Sequence, residues 1–383
     1  MRVLTVNAGS SSLKLSLLDE HDRLLLTSGV PSSGDRIDED ALRAALEPAG
    51  TIDAVGHRIV HGGSEFVEPA LIDARVRQRL EALTDLAPLH QPKSLRALDL
   101  VSRILPGVPS VGCFDTAFHA NIPAAAATYA LPSEWRERWD LRRFGFHGLS
   151  HAYASGRAAD LMGEPADEVR IVSCHLGAGA SLAAVDRGVS VETTMGFTPL
   201  EGLVMATRSG SVDPGLILWL EEHVGIPPSE LAAKLEHHSG LLGLAGSAEM
   251  QVVLAAEAAG DAAAALAVDV YVHRLRAGVA AMAAAMNGLD ALVFTGGVGE
   301  SSPAIRARAT AGLGFLGVAL DAGENTAAEL DAEIGAGGAR VRAFAIRARE
   351  DLEIAREVRG VLAGPDRSER EPAEGRSGRR DAR

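Results

Sequence analysis

A strand–turn–strand unit occurs twice in this chain, and that repeat restricts the possible folds more than any other feature. Val3–Val6 runs into Asn7-Ala8-Gly9-Ser10-Ser11-Ser12 and resumes as Leu13–Leu18 before Asp19. Val169–Cys174, His175-Leu176-Gly177-Ala178-Gly179-Ala180 and Ser181–Val185 before Asp186 repeat the shape, with one extra residue ahead of the shared Ser-Leu. Apolar, β-prone runs broken by Gly and Ser predict hairpins. A third strand, Ala291–Thr295, enters Gly296-Gly297-Val298-Gly299-Glu300 after a long Ala-rich helical stretch, Asp261–Asn287. Further strand-like runs at Ala54–Val60, Ser110–Phe114 and Ala339–Ile346 alternate with helical periodicity at Ala74–Leu83, Lys93–Ile104 and Gly215–Glu222. Strand-turn units separated by helices imply an α/β protein, and the repeat implies two related α/β domains.

The 383 residues suffice for two or three domains with full cores. With 37 basic against 51 acidic residues the net charge is −14, which repels phosphate backbones and anionic membranes. Nucleic-acid and membrane-surface binding are therefore not expected as the main task, and any anionic substrate has to meet a local cluster of positive charge. Cys113 and Cys174 both lie in apolar runs, which fits two buried thiols in a reducing compartment. Met1–Leu18 lacks the unbroken apolar stretch of a signal peptide, and Ala277–Met286 is too short to span a bilayer and reads as a buried helix. A cytoplasmic location is expected. The segment 364–383 holds six Arg and five acidic residues with no large aliphatic side chain, so it is expected to be a disordered tail.

Several phosphate-binding chemistries are excluded by residue identity. There is no Gly-Lys dipeptide and hence no P-loop, and Ser302 stands where a dinucleotide fingerprint needs its third Gly after Gly297 and Gly299. The pairs His57/His61 and His147/His151 have helical spacing, but Arg58 and Gly148 occupy the place where a zinc protease needs Glu, so they point away from zinc. What remains is a set of Gly/Ser turns whose backbone N–H groups can cradle phosphate without a P-loop. Lys14, one of three lysines, lies just past the first turn, within reach of a phosphate oxygen.

Six blocks carry a resemblance. Asn7-Ala8-Gly9-Ser10-Ser11-Ser12-Leu13-Lys14, Gly56-His57-Arg58-Ile59-Val60-His61-Gly62-Gly63, Phe114-Asp115-Thr116-Ala117-Phe118-His119, Phe144-Gly145-Phe146-His147-Gly148-Leu149-Ser150-His151, Thr207-Arg208-Ser209-Gly210 and Asp213-Pro214-Gly215 are similar to the signature blocks of acetate kinases and their propionate and butyrate kinase relatives. They occur in family order between Met1 and about Val358. The resemblance implies the actin, Hsp70 and sugar-kinase (ribonuclease H-like) fold class, two duplicated α/β domains closing on a nucleotide cleft. By that resemblance residues 1–117 with 352–363 are expected to form the first domain, and 118–351 the second, which is also expected to dimerise.

The reaction implied is reversible transfer of the ATP γ-phosphoryl group to acetate, or to propionate, giving an acyl phosphate and ADP. A carboxylate near the pKa of Glu, about 4.3, is already ionised at pH 7 and needs no general base. Asp115, which matches the family's catalytic acidic residue, is therefore expected to organise a metal shell or a partner side chain. By the same resemblance His147 stabilises the transition state, while Arg58 and Arg208 serve the carboxylate and the transferring group. Val60, Leu89, Phe146 and Pro199 wall the acyl pocket, and Asn7 and Glu350 serve Mg²⁺, or Mn²⁺ in its place. The nucleotide side comprises Lys14, His175, Leu176, Gly177, Ala178, Gly179, Glu249, Met250, Gln251, Gly297, Val298, Gly299, Glu300 and Ser301. His90 and His119 match further family positions without an assigned role. A homodimer is expected, as in the family.

Departures from the family pattern fall mainly on the nucleotide side. Ala178 replaces an Asn, Ser247-Ala248-Glu249-Met250-Gln251 stands where Ser-Ser-Asp-Met-Arg is usual, and Ser301 replaces an Asn. At the metal position, Arg349-Glu350-Asp351-Leu352 stands for Asn-Glu-Glu-Leu. Two other readings remain open: a kinase of the same fold with a hydroxyl acceptor, for which Asp115 is a true base, and a non-catalytic ATP-binding module.

Overall fold

The computed structural model describes residues 1–9, 12–33, 36–88 and 90–364. Among these residues thirteen strands form two sheets. The first is built from β1 (Val3–Ala8), β2 (Ser12–Leu18), β3 (Leu24–Ser33), β4 (Arg36–Ile37), β5 (Ala54–Ile59), β6 (Ala70–Leu71) and β7 (Ser110–Phe114). The second is built from β8 (Arg170–Leu176), β9 (Ala180–Asp186), β10 (Val189–Thr193), β11 (Ala291–Thr295), β12 (Ala332–Glu333) and β13 (Arg342–Ala345). Their orders are β4-β3-β2-β1-β5-β7-β6 and β10-β9-β8-β11-β13-β12. Apart from the extra edge strand β4, the two orders are the same: an antiparallel hairpin and third strand, two parallel strands, and an antiparallel edge. The repeat visible in the sequence is thus a repeat of whole sheets.

The hairpin turns are tighter than the sequence suggests. β8 and β9 pair from Arg170↔Asp186 to Leu176↔Ala180, so His175, Leu176 and Ala180, expected in the turn, extend the strands and leave only Gly177–Gly179 to reverse the chain. Alternation explains this: β8 puts Val172, Cys174 and Leu176 on one buried face and Ile171, Ser173 and His175 on the other, a register worth keeping to its last residue. The glycines after β11 wind into a short helix, Gly296–Ser301, where a loop was expected. β13 is shorter than Ala339–Ile346 because Ala339 N–H turns back to the carbonyl of Ala336.

Helices cover both faces of each sheet, which explains the continuous burial of β7 and β11. On the first sheet, Leu4, Val6, Leu13, Leu15 and Leu17 pack on Ala97, Leu100 and Val101 of the helix Gln91–Ile104. The opposite face presents Val3, Leu18, Ala54 and Val111 to Ile354, Ala355 and Val358 of the helix Glu350–Ala363. On the second sheet the even face of β8 packs on the 24-residue helix Ala262–Ala285, and the odd face on the helix Gly148–Met162. Asp261 caps the long helix by accepting from the N–H groups of Ala263 and Ala264. Cys113 and Cys174 are buried free thiols, as expected. Gly240–Ala258 is apolar, with mean hydropathy 1.2, but it consists of two helices, Gly240–Ala245 and Met250–Ala258, separated at Gly246, whose φ is 73°. The segment 365–383, expected to be disordered, lies outside the described residues.

Burial also stores an unusual number of neutral imidazoles. It lowers His57, His61, His90 and His119 to about 4 each, and neither ring nitrogen of His57 has a hydrogen-bond partner among the described residues. A histidine whose folded pKa lies below its unfolded value of about 6.5 favours the folded state fully above pH 6.5, and loses that contribution as the pH falls toward 4. Each such group then removes about 2 kcal/mol between pH 7 and pH 5. We expect urea-unfolding midpoints to fall steadily over that interval, and His57→Phe to flatten the dependence. A midpoint independent of pH between 7 and 5 contradicts the assignment of neutral buried histidines.

Candidate active site

The parallel strands deliver chemistry at their carboxyl ends, where an open α/β sheet leaves backbone groups and side chains free to face a ligand. Neighbouring β1, β5 and β7 carry Asn7, Arg58 and Asp115 within one residue of their carboxyl ends, the last held by its N–H on the carbonyl of Ile59. From the second sheet come His175 on β8 and the Gly296–Ser301 helix after β11, and the chain leaving β13 arrives at Glu350. The two sets of strand ends face each other across a cleft of about 900 Å³.

The floor of the cleft is a charge cluster. Arg58 donates through Nε and Nη2 to the two carboxylate oxygens of Asp115 at 2.8 and 2.5 Å, and through Nη1 to Asn7 Oδ1 at 3.0 Å. Asn7 Nδ2 donates to Glu350 Oε2 at 2.6 Å, and that oxygen lies 3.9 Å from Arg58 Nε. Burial raises Asp115 against the pull of the guanidinium. Burial also acts to raise Glu350, but Arg58, His175 and Asn7 outweigh it and hold that carboxyl below its usual range. The planar fork of arginine is what makes the paired contact possible.

The histidine wall opposite is set by strand and helix periodicity. Ser173 and His175 lie two residues apart on β8 and Ser181 pairs with His175 across β9, so all three share the sheet face covered by the helix Gly148–Met162. That helix begins just after His147 and brings Ser150 and His151 to the same face. His147 Nδ1 and His151 Nε2 approach Ser181 Oγ at 2.9 and 2.8 Å, His151 Nδ1 approaches Ser173 Oγ at 2.9 Å, and His175 Nδ1 approaches Ser150 Oγ at 2.8 Å. The rings of His147 and His175 stack at 4.3 Å. Burial, and then neighbouring histidines, hold His147 and His151 well below the usual imidazole range, so both are neutral at pH 7.

Two glycines permit this approach. Gly148 donates to the carbonyl of Asp115, and a Cβ at position 148 would stand 2.2 Å from that oxygen. A Cβ at Gly179 would lie 3.2 Å from His147 Nε2 and 3.3 Å from Arg208 Nη1, so these two donors converge over one bare stretch of backbone. His147 itself has φ 57°, a left-handed conformation uncommon outside glycine. Arg208 is held by Glu236, Nε to Oε1 at 2.7 Å, and by the carbonyl of Pro199 at 3.2 Å.

Of the residues expected at the site, Asn7, Lys14, Arg58, His147, His175, Gly177, Ala178, Glu249, Met250, Gln251, Gly297, Val298, Glu300, Ser301 and Glu350 line the cleft. Asp115 lies beneath Arg58, and Gly179 and Arg208 flank His147. Val60 and Phe146 are buried together in the larger core and Pro199 is half-buried, while Leu176 and Gly299 are buried behind the lining. Leu89 lies outside the described residues. Sequence reasoning missed Thr5, Ser16 and Thr27, which pair in a row across β1, β2 and β3 and line the cleft. Polar residues at alternate positions, Thr5 and Asn7 then Lys14 and Ser16, were the available signal. Glu236 and Ser181 were also missed.

The family model of the acetokinase family matches residues 35–356. An acetate kinase of Synechococcus sp. is 47% identical over 320 residues, 83% of this chain and 79% of that protein. The crystal structure of Porphyromonas gingivalis acetate kinase is 34% identical with a TM-score of 0.87, covering 94% of this chain and 99% of its own. A propionate kinase from Francisella tularensis is 35% identical with a TM-score of 0.88 over the same shares.

Proposed function

Because the chain belongs to the acetokinase family and is thereby a kinase that transfers phosphate to a carboxylate, we propose that its acceptor is acetate and its donor ATP, with acetyl phosphate and ADP formed reversibly. The observation that carries this reading is the meeting of Arg58, His147 and Arg208 beside a glycine-lined cleft in a chain of net charge −14. A carboxylate oxygen attacks the γ-phosphorus and the bond to the bridging oxygen of ADP breaks. Two anions approach, and at about 4 Å each unit pair costs roughly 4 kcal/mol at an effective dielectric of 20. Local cations and oriented N–H groups offset that cost.

The acceptor carries no proton at pH 7, so no base is required. Asp115, committed to Nε and Nη2 of Arg58, then acts as an organiser of that guanidinium. This commitment disfavours the hydroxyl-acceptor alternative, which needs a free base. Arg208 and His147 reach the transferring group, and Lys14, Gly177, Ala178, Glu249, Met250, Gln251, Gly297, Val298, Glu300 and Ser301 hold the donor.

Asn7 and Glu350 suit a hard divalent cation. Among the described residues no three His, Cys, Asp or Glu side chains gather for a protein cage, and Mg²⁺, or Mn²⁺ in its place, binds through one or two carboxylates together with waters and substrate phosphates. Glu350, held ionised, would supply that carboxylate and Asn7 the neighbouring amide. When bound, the ion neutralises phosphate charge.

Val60, Phe146 and Pro199 supply apolar walls near the carboxylate end. One methylene is worth about 1–3 kcal/mol of discrimination, so acetate over propionate is a modest preference. The domain division 1–117 with 352–363 and 118–351 belongs to this reading, supported by the packing of the final helix on the first sheet. A cytoplasmic homodimer also belongs to it, with exposed Leu216, Leu218, Trp219 and Val224 as apolar contact surface.

With ATP, hydroxylamine trapping across a panel of carboxylates is expected to give most acyl hydroxamate with acetate, less with propionate and little with longer acids. Arg58→Ala and Arg208→Ala are each expected to lower kcat/KM at least about a hundredfold, since losing a charged donor at a desolvated phosphoryl site costs roughly 3 kcal/mol. Wild-type kinetics in folded variants would remove those roles.

The nucleotide-side departures make a separate prediction, because Ala178, Glu249 and Gln251 all line the cleft. Each missing charge-assisted contact is worth about 1–3 kcal/mol. The double variant Ala178→Asn/Gln251→Arg is expected to lower the KM for ATP and to sharpen preference for ATP over GTP and pyrophosphate. Unchanged donor kinetics in that variant would mean these substitutions are silent.

A further inference from the structure

His151 is fully buried behind His147, and Ser181 joins them. A serine hydroxyl has one hydrogen and a neutral imidazole one protonated nitrogen. A pattern in which both imidazoles donate to Ser181 strands the hydroxyl hydrogen of that fully buried serine, so two continuous directions of donation along the line remain to be compared. In one direction His147 Nδ1–H donates to Ser181, Ser181 to His151 Nε2, and His151 Nδ1–H to Ser173. That direction leaves the Ser173 hydroxyl hydrogen without an acceptor, for Ser173 Oγ is completely buried and makes no other hydrogen bond among the described residues. Stranding a buried donor is the costly outcome.

In the other direction Ser173 donates to His151 Nδ1, His151 Nε2–H to Ser181, and Ser181 to His147 Nδ1. Every buried hydrogen is used, and one N–H is left over at the open end, on His147 Nε2. That nitrogen has no partner among the described residues and lies on the cleft side, beside Gly179 and Arg208 Nη1.

We propose that Ser173, His151 and Ser181 are positioning residues, a one-way hydrogen-bond chain that holds His147 as the neutral tautomer protonated at Nε2 and aims that N–H at the phosphoryl group in transfer. The target of the N–H rests on the kinase reading; the tautomer does not. Neutrality is supported independently, because burial depresses both imidazoles and an extra proton on either would break the chain. A fixed N–H donor needs no reorientation when charge builds on the phosphoryl oxygens, which is the basis of preorganised catalysis.

The test uses the full chain labelled with ¹⁵N-histidine, the His147 ring signals being assigned by their loss in His147→Asn. At pH 7.5, long-range ¹H–¹⁵N spectra are expected to show His147 protonated at Nε2 and bare at Nδ1. Ser181→Ala is expected to give a mixture of tautomers, with kcat down about tenfold or more and KM for both substrates within about twofold. Ser173→Ala, which makes the two directions nearly equal in cost, is expected to show a smaller change of the same kind. His151→Gln keeps an N–H near the Nε2 position and is expected to lose less kcat than His151→Leu. His147 protonated at Nδ1 in the native protein overturns the proposal, as does an unchanged tautomer with unchanged kcat in Ser181→Ala. Native protein that shows the Nε2–H tautomer but turns over no carboxylate refutes the kinase reading and leaves the chain of hydrogen bonds standing.

Discussion

A single guanidinium balances one buried and one half-buried carboxylate at the base of the cleft, and the arrangement of the whole chain follows from the need to bring them together. Arg58 pairs with both oxygens of Asp115 and lies within ion-pair range of Glu350, while Asn7 accepts from Arg58 and donates to Glu350. Removing one partner of a buried pair typically costs about 3–5 kcal/mol, because the charge left behind has lost both water and its counter-ion. The ends of β1, β5 and β7 and the first turn of the helix Glu350–Ala363 must therefore meet. Residues 343 positions apart in sequence share a hydrogen bond as a result.

The same logic explains how an acidic protein prepares to handle anions. Its arginines at the site are tethered to carboxylates, Arg58 to Asp115 and Arg208 to Glu236, which lowers their net field but fixes their direction. Direction matters more than total charge when the charge to be stabilised appears only during transfer. The histidine wall adds N–H groups without adding charge: its imidazoles are neutral, stacked, and hydrogen-bonded to serines whose only notable property is their place on one face of β8 and β9.

Much of this could be read in advance. Two hairpins of matching shape announced two matching sheets, because Gly and Ser after a short apolar run leave the chain few other options. The polar residues of β1 and β2 were equally visible as alternation, yet only Asn7 and Lys14 were singled out, since Thr5 and Ser16 belong to no motif block. Leu176 shows the converse limit. It sits in a glycine-rich block, but strand alternation turns its side chain away from the cleft into the larger core. Glu236 could not have been found, because a carboxylate on an amphipathic helix looks the same whether it faces water or an arginine.

The sequence by itself determined the elements, their repeat and the chemical inventory, for these depend on short-range periodicity and turn chemistry that every segment carries alone. Only the tertiary structure decided which groups face one another: that Asp115 grips Arg58, that Glu236 tethers Arg208, and that Ser181 stands between two imidazoles. Each of those contacts joins residues 28 to 57 positions apart in the chain. Their partners are chosen by how strands register and helices pack, and by the cost of burying a polar group without one.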